Sequence, residues 1–101
     1  METKVCCVTG HRDIPTDRAV YVEQALRREV LAAIKDGYTR FISGFAEGTD
    51  LMFAAIVAEQ KEYIPNLYLE AALPYAGRIK TKNKQFHDLL RICDEVTVVC
   101  Q

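Results

Sequence analysis

The chain has 101 residues, half of them hydrophobic and 27% charged, with 13 Lys and Arg against 14 Asp and Glu for a net charge of −1. This is the composition of a globular domain with enough length for one hydrophobic core, and it excludes a disordered or collagen-like chain. The near-neutral balance argues against a whole-surface attraction to nucleic acid or to anionic lipid, and no run approaches the ~18 apolar residues of a membrane span. Met1-Glu2-Thr3-Lys4 lacks the shape of a signal peptide, so a single cytoplasmic domain over 1–101 is expected, with no membrane partner.

Lys4-Val5-Cys6-Cys7-Val8-Thr9 is short and apolar without alternation, which predicts a strand buried on both faces and closed by Gly10. A loop runs to Pro15. Thr16 then suits a helix N-cap, with Asp17 in the first turn, where the helix dipole favours an acid. Ala19, Val22, Leu26, Val30, Ala33 and Ile34 recur at three- and four-residue steps, so an amphipathic helix is predicted up to Gly37, a natural left-handed terminator. Tyr38 to Ser43 reads as a second strand. Asp50 to about Lys61 reads as a second helix, so apolar from Leu51 to Ala58 that it should lie between the sheet and another element. Asn66 to Leu73, closed by Pro74, reads as a third strand. A basic connector from Arg78 to Lys84 leads to a third helix with Phe86, Leu89, Leu90 and Cys93 inward, and Glu95 to Cys100 is a fourth strand.

The order β-α-β-α-β-α-β, with long crossovers, predicts an α/β fold: a Rossmann-like, three-layer α/β/α domain around a parallel sheet of about four strands. Ligands of such sheets bind beyond the carboxyl ends of the strands, beside the switch in strand order. The cysteines carry no metal site. Cys6 and Cys7 are adjacent and point to opposite faces of a strand, Cys93 and Cys100 are too far apart for a zinc knuckle, and no C-x-x-C occurs. Four reduced thiols acting as small hydrophobes are expected.

Two loops leave strand ends with unusual residues. In Thr9-Gly10-His11-Arg12, Gly10 permits a close backbone approach. Arg12 can hold a phosphate or carboxylate with two donors, and His11 can donate or stack on a ring; equally, His11 can satisfy a loop carbonyl and Arg12 can pair with Asp13 or Asp17. In Ser43-Gly44-Phe45-Ala46-Glu47-Gly48-Thr49-Asp50, the glycines let an anion reach the free N–H groups of a helix N-terminus, and Ser43 and Thr49 add hydroxyls. The spacing matches neither the dinucleotide fingerprint nor the P-loop. Asp50 suits ribose hydroxyls or caps the helix, and capping is the better reading. Arg78, Lys80, Lys82 and Lys84 read as a solvated face and not as a nucleic-acid groove, since no aromatics are interleaved for base stacking. Tyr75 is placed to flank a ring. No Ser-His-Asp, Cys-His or paired-carboxylate arrangement can be specified, so no catalytic residue is assigned.

Val8-Thr9-Gly10-His11-Arg12 and Phe41-Ile42-Ser43-Gly44-Phe45-Ala46-Glu47-Gly48-Thr49-Asp50 resemble the first two motifs of the YpsA-like proteins. These form part of the SLOG superfamily, with the Rossmann domain of DprA and the cytokinin-activating phosphoribohydrolases. Ala71-Ala72-Leu73-Pro74-Tyr75 with Gly77 is similar to that family's third-strand exit, and Cys93-Asp94-Glu95-Val96 to its entry into the fourth strand. The resemblance implies a pocket for a nucleotide or ADP-ribose-like ligand, lined by Gly10, His11, Arg12, Ser43, Gly44, Gly48, Thr49 and Asp50. It departs from the family at Arg78, where relatives have glutamine, and relatives continue beyond the fourth strand through a Gly-Gly-Thr segment. A chain truncated relative to the family is therefore expected. The superfamily order sets the first and fourth strands side by side, so the outer side of the fourth should be an edge that joins a homodimer. Two other readings stand beside a binding module. One is an enzyme hydrolysing a nucleotide N-glycosidic bond, for which the Gly-Gly-x-Gly-Thr segment and its Glu are missing. The other is a DprA-like DNA-associated or scaffold protein, against which the charge balance weighs.

Overall fold

Punctuation by glycine, proline and changes of hydrophobic period translates directly into elements. The computed structural model describes residues 4–8, 18–46, 48–74 and 76–98. In chain order these form β1 (Lys4–Val8), α1 (Ala19–Lys35), β2 (Tyr38–Ser43), α2 (Thr49–Lys61), β3 (Tyr68–Leu73), a short 3-10 helix (Ala76–Lys80), α3 (Lys84–Ile92) and β4 (Glu95–Val98). Gly37 ends α1 as expected: its φ is 97° and its N–H returns to the carbonyl of Ile34 at 3.0 Å. The expected N-cap Thr16 and first-turn Asp17 lie outside the described residues, and Arg18 stands at the N-cap position with no side-chain bond. Asn83 caps α3 by accepting the N–H of Phe86 at 3.2 Å. No helix among the described residues is long and apolar enough to cross a membrane.

The four strands are parallel, as the crossovers require, and the α/β class holds. The arrangement within that class differs from expectation in two respects. The strand order is β1-β2-β3-β4, so β4 pairs with β3 and not with β1. The order therefore has no reversal, and no switch point arises among the described strands. Secondly, α1 packs on α2 and α2 packs on α3, which places all three helices in one layer against one sheet face. A crossover hand that is always the same, stepping always in the same direction across the sheet, returns every helix to the same side. The second helical layer of a three-layer domain is thus not present among the described residues.

Alternation along the strands sorts their side chains. Phe41, Ser43, Leu69, Ala71 and Leu73 are buried under the helices, with Phe41 against Phe53 of α2 at 6.1 Å between ring centroids. α2 is the central helix, and Leu51, Phe53, Ala54, Ile56, Val57 and Ala58 are all buried. Its almost continuous apolar surface is explained by neighbours on three sides: the sheet below, α1 and α3 beside it. Burial of each large side chain in this core contributes about 1.5–3 kcal/mol against exposure. α1 lies further out, with Val30 buried and Leu26, Ala33 and Ile34 partly so.

On the opposite face β2, β3 and β4 carry a connected polar set beside the partly buried Ile42 and Ala72. Arg40 pairs with Glu70 at 2.5 Å and lies over the Tyr68 ring at 5.0 Å. Tyr68 donates its hydroxyl to Glu95 at 2.6 Å, and Thr97 reaches Glu70 at 3.1 Å and Glu95 at 3.2 Å. Glu70 and Glu95 are register partners, so like charges face each other across β3 and β4. Arg40, with Glu70 close and Glu95 at 3.9 Å, offsets that repulsion. The glutamate hydrogen bond raises the Arg40 pKa further, and the Tyr68 and Thr97 hydroxyls hold the Glu95 carboxyl below its usual range.

Candidate functional site: the loop between β2 and α2

The chain leaves β2 at Ser43, whose side chain is fully buried. A buried hydroxyl needs partners, and both are local: Ser43 Oγ donates to the Asp50 carbonyl at 3.0 Å and accepts the Phe45 N–H at 3.2 Å. Its one hydroxyl hydrogen is therefore committed to tying the strand end to the first turn of α2. Asp50 completes the tie. Its Oδ2 accepts the Ala46 N–H at 3.3 Å, and the Leu51 N–H returns to the Ala46 carbonyl at 3.2 Å.

Asp50 does not cap α2. Gly48 holds the N-cap position, at φ 86°, and α2 has no side-chain cap. The Asp50 carboxylate is buried and turned back into the loop, where it remains favourable to the helix dipole. Gly44 makes room for it. A Cβ on Gly44 would come within 3.0 Å of Asp50 Oδ2 and 3.9 Å of the Ala72 carbonyl oxygen. Two residues of the loop take positive φ: Gly48, which has no penalty there, and Phe45 at φ 58°, which does. Burial offsets that strain. Phe45 has no exposed surface and meets Phe86 edge-on at 5.5 Å between centroids.

The structure thus brings Ser43, Gly44, Gly48, Thr49 and Asp50 together at the carboxyl edge of the sheet. Ser43 and Asp50 point into the protein as braces, while Gly44, Gly48 and Thr49 are the partly exposed positions. Gly10, His11 and Arg12 lie outside the described residues, as do Glu47 and Tyr75. The sequence reading did not assign a role to Phe45. The available signal was a lone aromatic side chain within a glycine-bounded loop, where solvent exposure would waste its apolar area.

The exit of β3 is the neighbouring one, because Ser43 and Ala71 are register partners. Past it, the 3-10 helix and residues 81–83 lead to α3. Lys80 and Lys82 are exposed. Lys84 pairs with Asp88 at 2.6 Å, and His87 Nε2 donates to the Thr81 carbonyl at 2.7 Å, which assigns the proton to that nitrogen. The Phe45–Phe86 contact joins the β2 loop to the start of α3. At the far side of α3, burial pushes the Cys93 thiol up to about 11, a group unsuited to act as a nucleophile at neutral pH.

No family model matches the chain. Over 91 residues, or 86% of its length, it is 26% identical to the UPF0398 protein BH1768 of Halalkalibacterium halodurans. The aligned part is 46% of that protein, so the chain spans about half the length of the curated relative it matches. The relative belongs to a family without an assigned function, and the weak homology is consistent with the YpsA-like character of the motifs.

Proposed function

We propose that this domain is a binding module for a nucleotide or nucleotide-derived ligand such as an ADP-ribose-like molecule, held at the carboxyl edge of the sheet by the loops after β1 and β2. The observation that carries this reading is the braced loop itself. Ser43, Asp50 and Phe45 hold Gly44–Ala46 in place and leave the start of α2 without a side-chain cap. The Leu51 and Met52 N–H groups return to the Ala46 and Gly48 carbonyls, so what an anion meets is the partial positive charge of the helix start at Gly48 and Thr49, where glycine lets it approach. In this reading Gly48 and Thr49 meet a phosphate, Gly44 and Ser43 shape the loop, and Arg12 adds the charge. His11 addresses the ribose or base, and Asp50 acts by positioning. The SLOG-type pocket implied by the sequence motifs supports the same placement.

Isothermal titration of the purified protein with AMP and ADP-ribose tests the reading. Binding of either is expected, and Arg12→Ala should weaken it at least about tenfold, a loss of roughly 1.4 kcal/mol, with the melting temperature nearly unchanged. Saturating titrations with no heat and no thermal shift would overturn the proposal, and an unaltered dissociation constant would remove Arg12 from the site. A second copy joined along the free side of β4 accords with one feature. Val96 is 43% exposed although its row mates Ser43 and Ala71 are fully buried.

A further inference from the structure

β4 is the last strand of the sheet among the described residues, and its outer side has no neighbouring strand there. Beside it a groove of about 270 Å³ opens between the strand and α3, lined by His87, Leu90, Arg91 and Val96. The row Ser43, Ala71, Val96 runs under the helices from β2 to β4. Its first two members are fully buried, whereas Val96 is 43% exposed. The row thus stops one strand short of the cover that α3 offers. The volume is below the roughly 300 Å³ at which small-molecule pockets begin, and it adjoins an open strand edge, so it suits the side chain of an added strand better than a free ligand.

The side chains at this edge limit what can be added. On the helix face the neighbour of Val96 must be apolar. On the open face it must not bring an acid to Glu95, which already faces Glu70 across the ladder and shares Arg40 with it. β4 itself meets both conditions. A second β4 related by a twofold axis normal to the sheet runs antiparallel and keeps like faces on the same side. Centred on Val96, that axis sets Val96 against Val96 of the second copy. It sets Glu95 against Thr97, whose hydroxyl already reaches Glu95 within one chain at 3.2 Å. Centred on Glu95 it would oppose two carboxylates. Above the sheet the same axis brings the two α3 helices together at the turn that lines the groove. Asp88 and Arg91 lie on that turn, 3.6 Å apart, so each copy offers an acid and a base to the base and the acid of the other.

We propose that the groove between α3 and β4 is a self-complementary interface, in which two copies of this chain join β4 to β4 antiparallel about Val96. Two four-stranded sheets become one, with every helix on the same side. This rests on the reading of a second copy at the β4 edge and is independent of the nucleotide reading. Antiparallel strands send the two carboxyl edges in opposite directions, so each β2 loop stays at its own edge and belongs to one copy alone.

The test is sedimentation equilibrium at low ionic strength on the wild-type protein, on Val96→Lys, on Asp88→Arg, on Arg91→Asp, and on an equal mixture of the last two. All three positions are exposed, and circular dichroism verifies that the fold is kept. The wild-type protein should dimerise, and Val96→Lys should abolish association by placing an ammonium in the apolar row. Asp88→Arg and Arg91→Asp each set like charges across the axis and should weaken the dimer about tenfold or more. Their mixture restores both opposite pairs and should associate at least about tenfold more tightly than either variant alone. A monomeric wild-type protein at the highest concentrations reached would overturn the interface and the second copy at β4 together, while leaving the nucleotide reading intact. A dimer that Val96→Lys leaves unchanged would remove this groove from the interface. A mixture no tighter than its components would overturn the register about Val96.

Discussion

The two faces of the sheet solve the same problem by different physics. Under the helices the strands are held by close-packed apolar side chains, with Phe41, Leu69, Ala71 and Leu73 fully buried. On the other face the same strands are held by Arg40, Tyr68, Glu70, Glu95 and Thr97 in one connected set of charged and hydroxyl groups. An all-parallel sheet is ordinarily covered on both sides. Here a side-chain lattice occupies the place where a second helical layer would supply apolar cover. The difference shows that one face of a parallel sheet can stay partly wet where charged groups pair across the strands.

The largest effect expected from breaking this contrast is on the helix side. Phe41→Ala should cost about 3–5 kcal/mol, because Phe53 is left facing a cavity that the sheet cannot collapse. Chemical denaturation with a linear extrapolation measures it, and a loss below 1 kcal/mol, far short of about 3, would mean the core repacks freely. A smaller loss is expected from Glu70→Leu on the open face. Arg40 keeps Glu95 within 3.9 Å, and its half-exposed guanidinium can return to water. If the same denaturation assay gave a loss as large as that of Phe41→Ala, the open face would be a second core and not a solvated lattice.

The smallest effect concerns the entry to β4 and appears as pH dependence. Asp94 accepts the Leu69 N–H at 2.8 Å, returns its own N–H to the Leu69 carbonyl at 2.8 Å, and pairs with Lys61. Burial pushes the Asp94 carboxyl up, but the Lys61 ammonium and the Leu69 amide outweigh it and hold the pKa below the usual value. A carboxyl lowered by folding contributes stability that is present above its unfolded pKa of about 4 and is lost as pH falls through the folded value. Asp94→Asn should therefore lower stability at neutral pH and flatten the acid limb of the stability–pH curve. Parallel acid limbs for the two proteins would show that the pair contributes nothing to that slope.

Local chemistry made much of the fold legible. Gly37, Pro65 and Pro74 punctuate the chain, and periods of about 3.6 and 2 separate helices from strands. Glu70 shows the limit. A charge inside Leu67-Tyr68-Leu69-Glu70-Ala71 stands out in the sequence, but its partner Arg40 is set by strand register, and no local pattern encodes that pairing. The candidate site divides in the same way. Gly44 and Gly48 could be identified as positions of close approach, and the sequence places the helix start at Asp50, one residue after the Thr49 at which α2 begins. For Asp50 capping is the better reading until the loop is closed, because only the closed loop brings the Ala46 N–H to its carboxylate. Phe45 was obscured for a related reason, since Phe86 is remote in sequence and meets it only through packing.

The sequence by itself determined the element order, the parallel direction of the strands and the central place of α2, because helix period, turn residues and apolar content are local properties. Tertiary structure alone decided the strand order. An apolar run as complete as Leu51 to Ala58 needs cover on both flanks, and the fold provides it by placing α1 and α3 on either side of α2 in one layer. Adding α3 beside α2 carries β4 to the outer side of β3 and leaves the far face of the sheet to its ion pairs. Which flank a crossover covers depends on what the finished core excludes from water, and that quantity belongs to the assembled molecule and not to any one segment.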